Sequence, residues 1–181
     1  MLILVTGGCR SGKSGYAMER ALALPGPWGF LATAQAFDDE MRARIRKHKA
    51  GRPAHWGLVE EPVEVPAALA GMLRETRTVV VDCVTLWMSN LLCAEELLGE
   101  DEAARRAGDL AACARDAAAT VIVITNEVGS GIVPENALAR RFRDCAGRAN
   151  QVIAREAREV VLLTSGIPLV IKGGKGTVHG E

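Results

Sequence analysis

The stretch LILVTGGCRSGKS, residues 2–14, decides which fold this sequence predicts. Its first five residues are apolar or β-branched, and the next eight are small or polar and include three glycines. A short, unbroken apolar run that ends at glycine is typical of a buried strand, and a segment of helical period follows this one. The stretch therefore predicts a strand, a loop and a helix in direct succession.

The loop matches the pattern G-x-x-x-x-G-K-[ST], with Gly7, Gly12, Lys13 and Ser14 at its fixed positions. In this motif, backbone N–H groups surround the phosphates of a nucleotide, the lysine reaches the outer phosphates and the hydroxyl holds Mg²⁺. The strand before the loop and the helix after it are the context that the motif requires. We predict a nucleotide site here; the alternative is an ordinary glycine-rich turn.

Further apolar runs alternate with longer segments of helical period, as in α/β proteins with a parallel sheet. The runs are GFLAT (29–33), VVVDC (79–83), TVIVIT (120–125), VVLLT (160–164) and LVIK (169–172). The last of them follows a link so short that it predicts an antiparallel edge strand. We predict a mixed, mostly parallel sheet with helices on both faces, in a single domain over residues 1–172 with a disordered tail at 173–181.

A long helix is expected to open at Pro134, the position in a helix that proline tolerates best. Its packing face is predicted from residues repeated every three or four positions: Leu138, Phe142, Cys145, Ala149 and Val152.

Composition excludes several classes of protein. The 22 basic and 22 acidic side chains balance, so the net charge gives no indication of nucleic-acid binding. No apolar run is long enough for a membrane span, the N-terminus does not resemble a signal peptide, and we expect a cytoplasmic protein. The five cysteines are scattered without a C-x-x-C pair, which argues against a disulfide framework and a zinc site. Cys9, inside the glycine-rich loop, is either a spacer or a nucleophile.

Two acidic residues lie where predicted strands end. Asp82 closes VVVDC, and strand ends point into the ligand crevice of open α/β sheets, so we predict that it completes a Mg²⁺ site with Ser14. The alternative is a helix N-cap. Glu127 would either assist metal or substrate, or cap its loop. Its segment, TNEVGSG (125–131), lacks the N-K-x-D pattern with which signalling GTPases specify guanine.

The segment FDDEMRARIRKHKAGRP (37–53) is predicted to be a helix with an acidic start and a basic end. Met41, Ile45 and His48 share one of its faces, which by itself favours a packed core histidine. The surrounding cations favour another role, because positive charge keeps imidazole neutral, the form that can attack phosphorus. We predict that His48 attacks a nucleotide α-phosphate, with packing as the alternative; His55 is predicted to be structural.

These residues together resemble the bifunctional adenosylcobinamide kinase/adenosylcobinamide-phosphate guanylyltransferase family of cobalamin biosynthesis. The resemblance extends to about Lys172. It rests on MLILVTGGCRSGKS (1–14), LATAQAFDDEMRARIRKHKAGRPAHWGLVEEP (31–62), VDCVTLWMSNLL (81–92), TNEVGSGIVPENALARRFRDCAGRANQVIA (125–154) and SGIPLVIK (165–172).

The resemblance implies two reactions on a RecA-like P-loop fold that assembles as a homotrimer. Adenosylcobinamide would be phosphorylated with ATP or GTP, and GMP would then pass from GTP to the new phosphate through a guanylyl-histidine, giving adenosylcobinamide-GDP and pyrophosphate. His48 and Lys13 would be catalytic, and Ser14 and Asp82 would bind the metal. The nucleotide-contacting positions would be Gly7, Gly8, Cys9, Arg10, Ser11, Gly12, Lys13, Ser14, Ala32, Thr33, Ala34, Lys49, Ala50, Gly51, Arg52, Glu60 and Asp82.

The sequence departs from the family pattern at two positions. Cys9 stands where other members often carry alanine, and Lys47 stands where some carry a second histidine. Two other functions remain open at this point: a monofunctional small-molecule P-loop kinase in which His48 only packs, and a nucleotide-dependent regulator or DNA-binding RecA-like module. A lysine adduct is not favoured, because Lys49, Ala50 and Gly51 do not form a K-x-D-G pattern.

Overall fold

The computed structural model describes residues 1–36, 39, 42, 46, 53–95 and 98–173. Within these residues the strands are β1 (Leu2–Gly7), β2 (Trp28–Ala32), β3 (Gly57–Glu60), β4 (Thr78–Asp82), β5 (Thr120–Ile124), β6 (Glu159–Thr164) and β7 (Ile167–Lys172). The helices are α1 (Lys13–Leu22), α2 (Val65–Met72), α3 (Val84–Ala94), α4 (Glu100–Asp116) and α5 (Ala137–Glu156). The strands form one sheet in the order β3-β2-β4-β5-β1-β6-β7.

The predicted mixed sheet is confirmed. Strands β1 to β6 pair in parallel, and β7 pairs antiparallel with β6. The two strands are joined by Ser165 and Gly166, which both have positive φ, as a tight two-residue hairpin turn requires. Strand β7 begins at Ile167, two residues before the predicted run, because the turn is shorter than the sequence indicated.

Helices cover both faces of the sheet, as predicted. Alternate residues of each central strand enter different cores: Leu2 and Leu4 of β1 pack with α2 to α5, whereas Ile3 and Val5 pack with α1. This period of two follows from the pleat of a strand. The middle residues of the central strands are apolar because neither face of the sheet meets water there.

The predicted start of the long helix is wrong. Helix α5 begins at Ala137, because the side-chain oxygen of Asn136 accepts a hydrogen bond from the backbone N–H of Ala139 and so caps the first turn. Cys145 is fully buried as expected, but Leu138 is 49% exposed. No helix in the described part of the chain combines the length and apolarity that crossing a membrane requires.

Candidate active site

The carboxyl ends of the central strands meet at one edge of the sheet and enclose a cavity of about 730 Å³. Strand β5 lies between β1 and β4, so the glycine-rich loop, the end of β4 and the segment after β5 converge there. The lining residues from these elements and from β2, β3, α3 and α5 are Cys9, Arg10, Ser11, Gly12, Lys13, Ser14, Gly15, Phe30, Ala32, Ala34, Glu60, Asp82, Cys83, Thr85, Leu86, Ile124, Asn126, Glu127, Val128 and Phe142.

Glycine is required at Gly7 because the loop passes close to β6. The φ angle of Gly7 is +150°, and a Cβ atom there would lie 2.4 Å from the carbonyl oxygen of Leu163. The loop is also attached to the hairpin turn, since the N–H of Gly166 donates to the carbonyl of Ser11 at 3.0 Å. The edge hairpin thus supports the phosphate loop, a contact that the loop motif alone does not predict.

Lys13 is only 6% exposed, and its ammonium group donates to the carbonyl of Gly8 at 2.5 Å and to the hydroxyl of Ser11 at 3.2 Å. Burial lowers the pKa of Lys13, and the nearby Asp82 and Glu127 partly oppose this effect. A desolvated cation gains most from an anionic partner, because the surroundings screen the attraction less than water does. Phosphate oxygens are suited to that role.

Ser14 and Asp82 are brought together, although they are 68 positions apart in the sequence. The hydroxyl of Ser14 donates to Oδ2 of Asp82 at 2.9 Å. The N-cap of α3 is Cys83, so the alternative in which Asp82 caps that helix is wrong. One hydroxyl and one carboxylate beside a phosphate loop fit Mg²⁺, which usually takes one or two protein oxygens together with phosphate oxygens and water.

The predicted nucleotide-contacting residues at the end of β2 and directly after it divide into two groups. Ala32 and Ala34 line the cavity, whereas the side chain of Thr33 is fully buried. The Thr33 hydroxyl donates to the carbonyl of Cys83 and accepts from the Cys83 N–H, both at 2.8 Å. Thr33 therefore joins the end of β2 to the end of β4 and positions Asp82 without facing the cavity.

Three polar residues that the sequence analysis did not identify hold the segment after β5. Asn150 accepts a hydrogen bond from Thr125 at 2.7 Å and donates to the carbonyl of Asn126 at 3.1 Å. Thr85 accepts from the N–H of Asn126 at 2.8 Å, and Thr6 donates to the carboxylate of Glu127. Buried polar residues within apolar strands and helices were the only sequence signal for them.

The two cysteines near the cavity differ in exposure. Cys9 is exposed, whereas Cys83 is buried. Burial, with a contribution from Asp82, raises the pKa of Cys83 to about 12. The Cys83 thiol is therefore neutral at physiological pH and contributes apolar surface to the cavity.

Five predicted site residues lie outside the described residues: His48, Lys49, Ala50, Gly51 and Arg52. Of the helix predicted over 37–53, Asp39, Arg42 and Arg46 are helical and exposed, and Arg42 forms an ion pair with Asp39 at 2.9 Å. His55 is exposed, and its ring contacts Trp28 edge-on with the ring centroids 5.4 Å apart.

Comparison with known proteins places this arrangement in context. Residues 3–171 match the family model described as cobinamide kinase / cobinamide phosphate guanyltransferase. The chain is 47% identical over 186 residues to the bifunctional adenosylcobalamin biosynthesis protein CobU of Salmonella typhimurium, a match that covers 95% of this chain and 100% of that protein. It is 42% identical over 174 residues to the bifunctional adenosylcobalamin biosynthesis protein CobP of Pseudomonas aeruginosa, covering 94% and 96% of the two chains.

A solved structure that resembles this one is that of the RadB recombinase. The TM-score is 0.51 at 19% sequence identity, and the match covers 89% of this chain and 73% of the recombinase. Likeness at this level concerns the fold alone, and it confirms the predicted P-loop α/β fold.

Proposed function

The chain belongs to the cobinamide kinase / cobinamide phosphate guanyltransferase family, and on this premise we propose that it catalyses both reactions in adenosylcobalamin biosynthesis. In the first, ATP or GTP phosphorylates a hydroxyl of adenosylcobinamide. In the second, GMP passes from GTP to adenosylcobinamide phosphate, and pyrophosphate leaves. The observation that supports this proposal best is the convergence of Lys13, Ser14 and Asp82 on one cavity that is large enough for a nucleotide.

For the kinase reaction, the buried Lys13 would pair with the outer phosphates and stabilise charge that develops during phosphoryl transfer. Its present partners, a carbonyl and a hydroxyl, are neutral and would be replaced by anionic oxygens. Ser14 and Asp82 would hold Mg²⁺ from the side of β4. When bound, Mg²⁺ would neutralise charge on the phosphate oxygens.

For the guanylyl transfer, we propose His48 as the nucleophile. This assignment rests on the sequence, in which six Lys or Arg residues lie between positions 42 and 52. Such charges lower the pKa of an imidazole and stabilise an anionic transition state. The histidine nitrogen would form a bond to the α-phosphorus of GTP as the bond to the pyrophosphate oxygen breaks.

Incubation with GTP labelled at the α-phosphate tests this second reaction. We expect a covalent adduct that is labile in acid and stable in alkali, as a phosphoramidate is, and that is absent in His48→Ala. His55→Ala is the matched control and should label normally, since His55 lies on the surface beside Trp28. Normal labelling of His48→Ala would leave a monofunctional kinase as the better description.

The Mg²⁺ site is tested by Asp82→Asn. Removing this carboxylate charge should raise the Mg²⁺ concentration needed for half-maximal kinase activity by at least about tenfold. Asp109→Asn, on the exposed side of α4 and paired with Arg105, is the control and should leave the Mg²⁺ dependence unchanged. An unchanged Mg²⁺ requirement in Asp82→Asn would remove Asp82 from the metal site.

We propose in addition that the enzyme acts in the cytoplasm as a homotrimer, as the family resemblance implies. Light scattering of the purified protein at micromolar concentration measures the mass of the assembly. A mass of three chains of 19.2 kDa is expected, and a stable monomer would contradict the assembly.

A further inference from the structure

Glu127 lies on the segment that leaves β5, the strand between the phosphate-loop strand β1 and the Asp82 strand β4. Because parallel strands end at the same edge, this topology places Glu127 between the loop and Asp82. The cavity lining contains Glu127 together with Lys13 and Asp82. The charge of Glu127 also acts on the ammonium group of Lys13.

Two hydrogen bonds hold Glu127 against the phosphate-loop strand. Its backbone N–H donates to the carbonyl of Gly7 at 3.1 Å. The hydroxyl of Thr6, a residue that is 4% exposed, donates to Oε1 of the carboxylate. In the described part of the chain, no other side chain hydrogen-bonds this carboxylate, so Oε2 is available for a further donor. Glu127 itself is exposed to solvent at the cavity.

Three carboxylates line the cavity among the described residues: Glu60, Asp82 and Glu127. Asp82 already accepts a hydrogen bond from Ser14 and fits the metal site. Glu60 ends β3, the edge strand, which is four strands away from β1. Glu127 follows the strand directly beside β1, so it is the carboxylate best placed to meet a group that approaches the end of a bound triphosphate.

We propose that Glu127 is the general base of the kinase reaction. This inference rests on the proposed function and assigns one proton transfer within it. The substrate hydroxyl oxygen bonds to the γ-phosphorus, and its proton passes to the carboxylate of Glu127. The bond from the γ-phosphorus to the β–γ bridging oxygen breaks, and its electron pair leaves with the nucleoside diphosphate. Thr6 is a positioning residue that keeps the carboxylate beside the loop.

The second reaction of the same enzyme requires no such base. The attacking group of its acceptor is a phosphate monoester, which is already an anion near neutral pH, so no alcohol proton has to be removed. Loss of the base should therefore separate the two reactions. Damage to the fold should instead impair both.

The test is Glu127→Gln, which keeps the shape and the hydrogen bond from Thr6 but not the basicity. Kinase activity is measured with γ-labelled GTP and adenosylcobinamide. Guanylyl transfer is measured separately with α-labelled GTP and adenosylcobinamide phosphate that the wild-type enzyme has prepared. Glu135→Gln is the matched control, because Glu135 is exposed in the same segment but does not line the cavity.

We expect the kinase kcat of Glu127→Gln to fall by about 100-fold or more, as for loss of a general base. Its KM for adenosylcobinamide and its rate of guanylyl transfer should stay within about threefold of wild type, and Glu135→Gln should match wild type in both reactions. A smaller kinase loss, or an equal loss in both reactions, would overturn the inference. If the wild-type protein fails to phosphorylate adenosylcobinamide, the proposed function on which this inference rests is refuted instead.

Discussion

The middle and the carboxyl end of the same strands differ completely in chemistry. Leu4, Val80 and Ile122, in the middle of β1, β4 and β5, are apolar and at most 1% exposed. A few residues further along, the chain presents a glycine-rich loop, Asp82 and Glu127 around an open cavity. The comparison teaches that the interior of the sheet supplies stability, whereas its carboxyl edge can carry polar groups for function.

Lys13→Ala gives the largest expected effect on activity and tests the functional side of this comparison. Kinase kcat/KM should fall by roughly 10²–10³-fold, because the developing charge on the phosphates loses its buried partner. The melting temperature should not fall, since burial of the ammonium group already disfavours its charged form.

Lys172→Ala is the control for this prediction. Lys172 donates to the last carbonyls of α5 at 2.9 and 2.7 Å, far from the cavity, so kinase activity should be retained. Undiminished kinase activity in Lys13→Ala would contradict the phosphate-loop assignment.

Ile122→Ala tests whether the interior of the sheet supplies stability. Ile122 is fully buried beside α1, and its truncation should lower the free energy of unfolding by about 2–5 kcal/mol. For a chain of 181 residues, a loss of about 3 kcal/mol lowers the melting temperature by roughly 6–12 °C. Kinase turnover per folded molecule should not change at a temperature well below the transition.

Ile132→Ala is the matched control, because Ile132 is 96% exposed and its truncation should change stability by less than about 0.5 kcal/mol. A fall in the kinase turnover per folded molecule of Ile122→Ala would show that the strand interior and the active-site edge are not separable.

Asn150→Ala should lower both the stability and the kinase activity, each by a smaller amount, because Asn150 joins the core to the active-site edge. The variant leaves the buried Thr125 hydroxyl without its 2.7 Å partner, which should cost about 1–3 kcal/mol. Kinase activity should also fall, though less than in Lys13→Ala, because the segment carrying Glu127 loses a support. Thermal melts and kinase assays on one preparation measure both effects.

Asn136→Ala is a comparable change on the same helix. It removes the α5 cap and should cost about 1 kcal/mol without lowering kinase turnover. An equal loss of turnover in both asparagine variants would mean that the Asn150 contacts have no specific part in the site.

The smallest expected effect concerns cysteine reactivity. With its pKa at about 12, Cys83 has only roughly 10⁻⁴ of its thiol ionised at pH 8, so iodoacetamide should not modify it in the folded protein. Raising the pH towards 12 increases the thiolate fraction.

The exposed Cys9 and Cys93 should react at pH 8, and saturating GTP should slow modification of Cys9 but not of Cys93. Peptide mass spectrometry measures each site; equal protection of both would contradict nucleotide binding at the loop.

Much of the site could be predicted from the sequence because its parts are local. The phosphate loop is one continuous stretch, and Asp82 closes an apolar run whose end is visible in the sequence. The contacts of Thr6 with Glu127 and of Thr125 with Asn150 could not be predicted, because their partners are 121 and 25 positions apart. The start of α5 predicted at Pro134 is wrong, because the helix begins at Ala137 and the Asn136 side chain caps its first turn.

The sequence alone determined the alternation of strands and helices, the phosphate loop, and the resemblance that identified the family. These follow from hydrophobic period and short motifs, which act over a few neighbouring residues. The tertiary structure alone decided that β5 lies between β1 and β4, which brings Glu127 beside the phosphate loop, and that Ser14 of α1 contacts Asp82. Strand order depends on how the two apolar faces of the whole sheet are buried by helices, a property that no single segment contains.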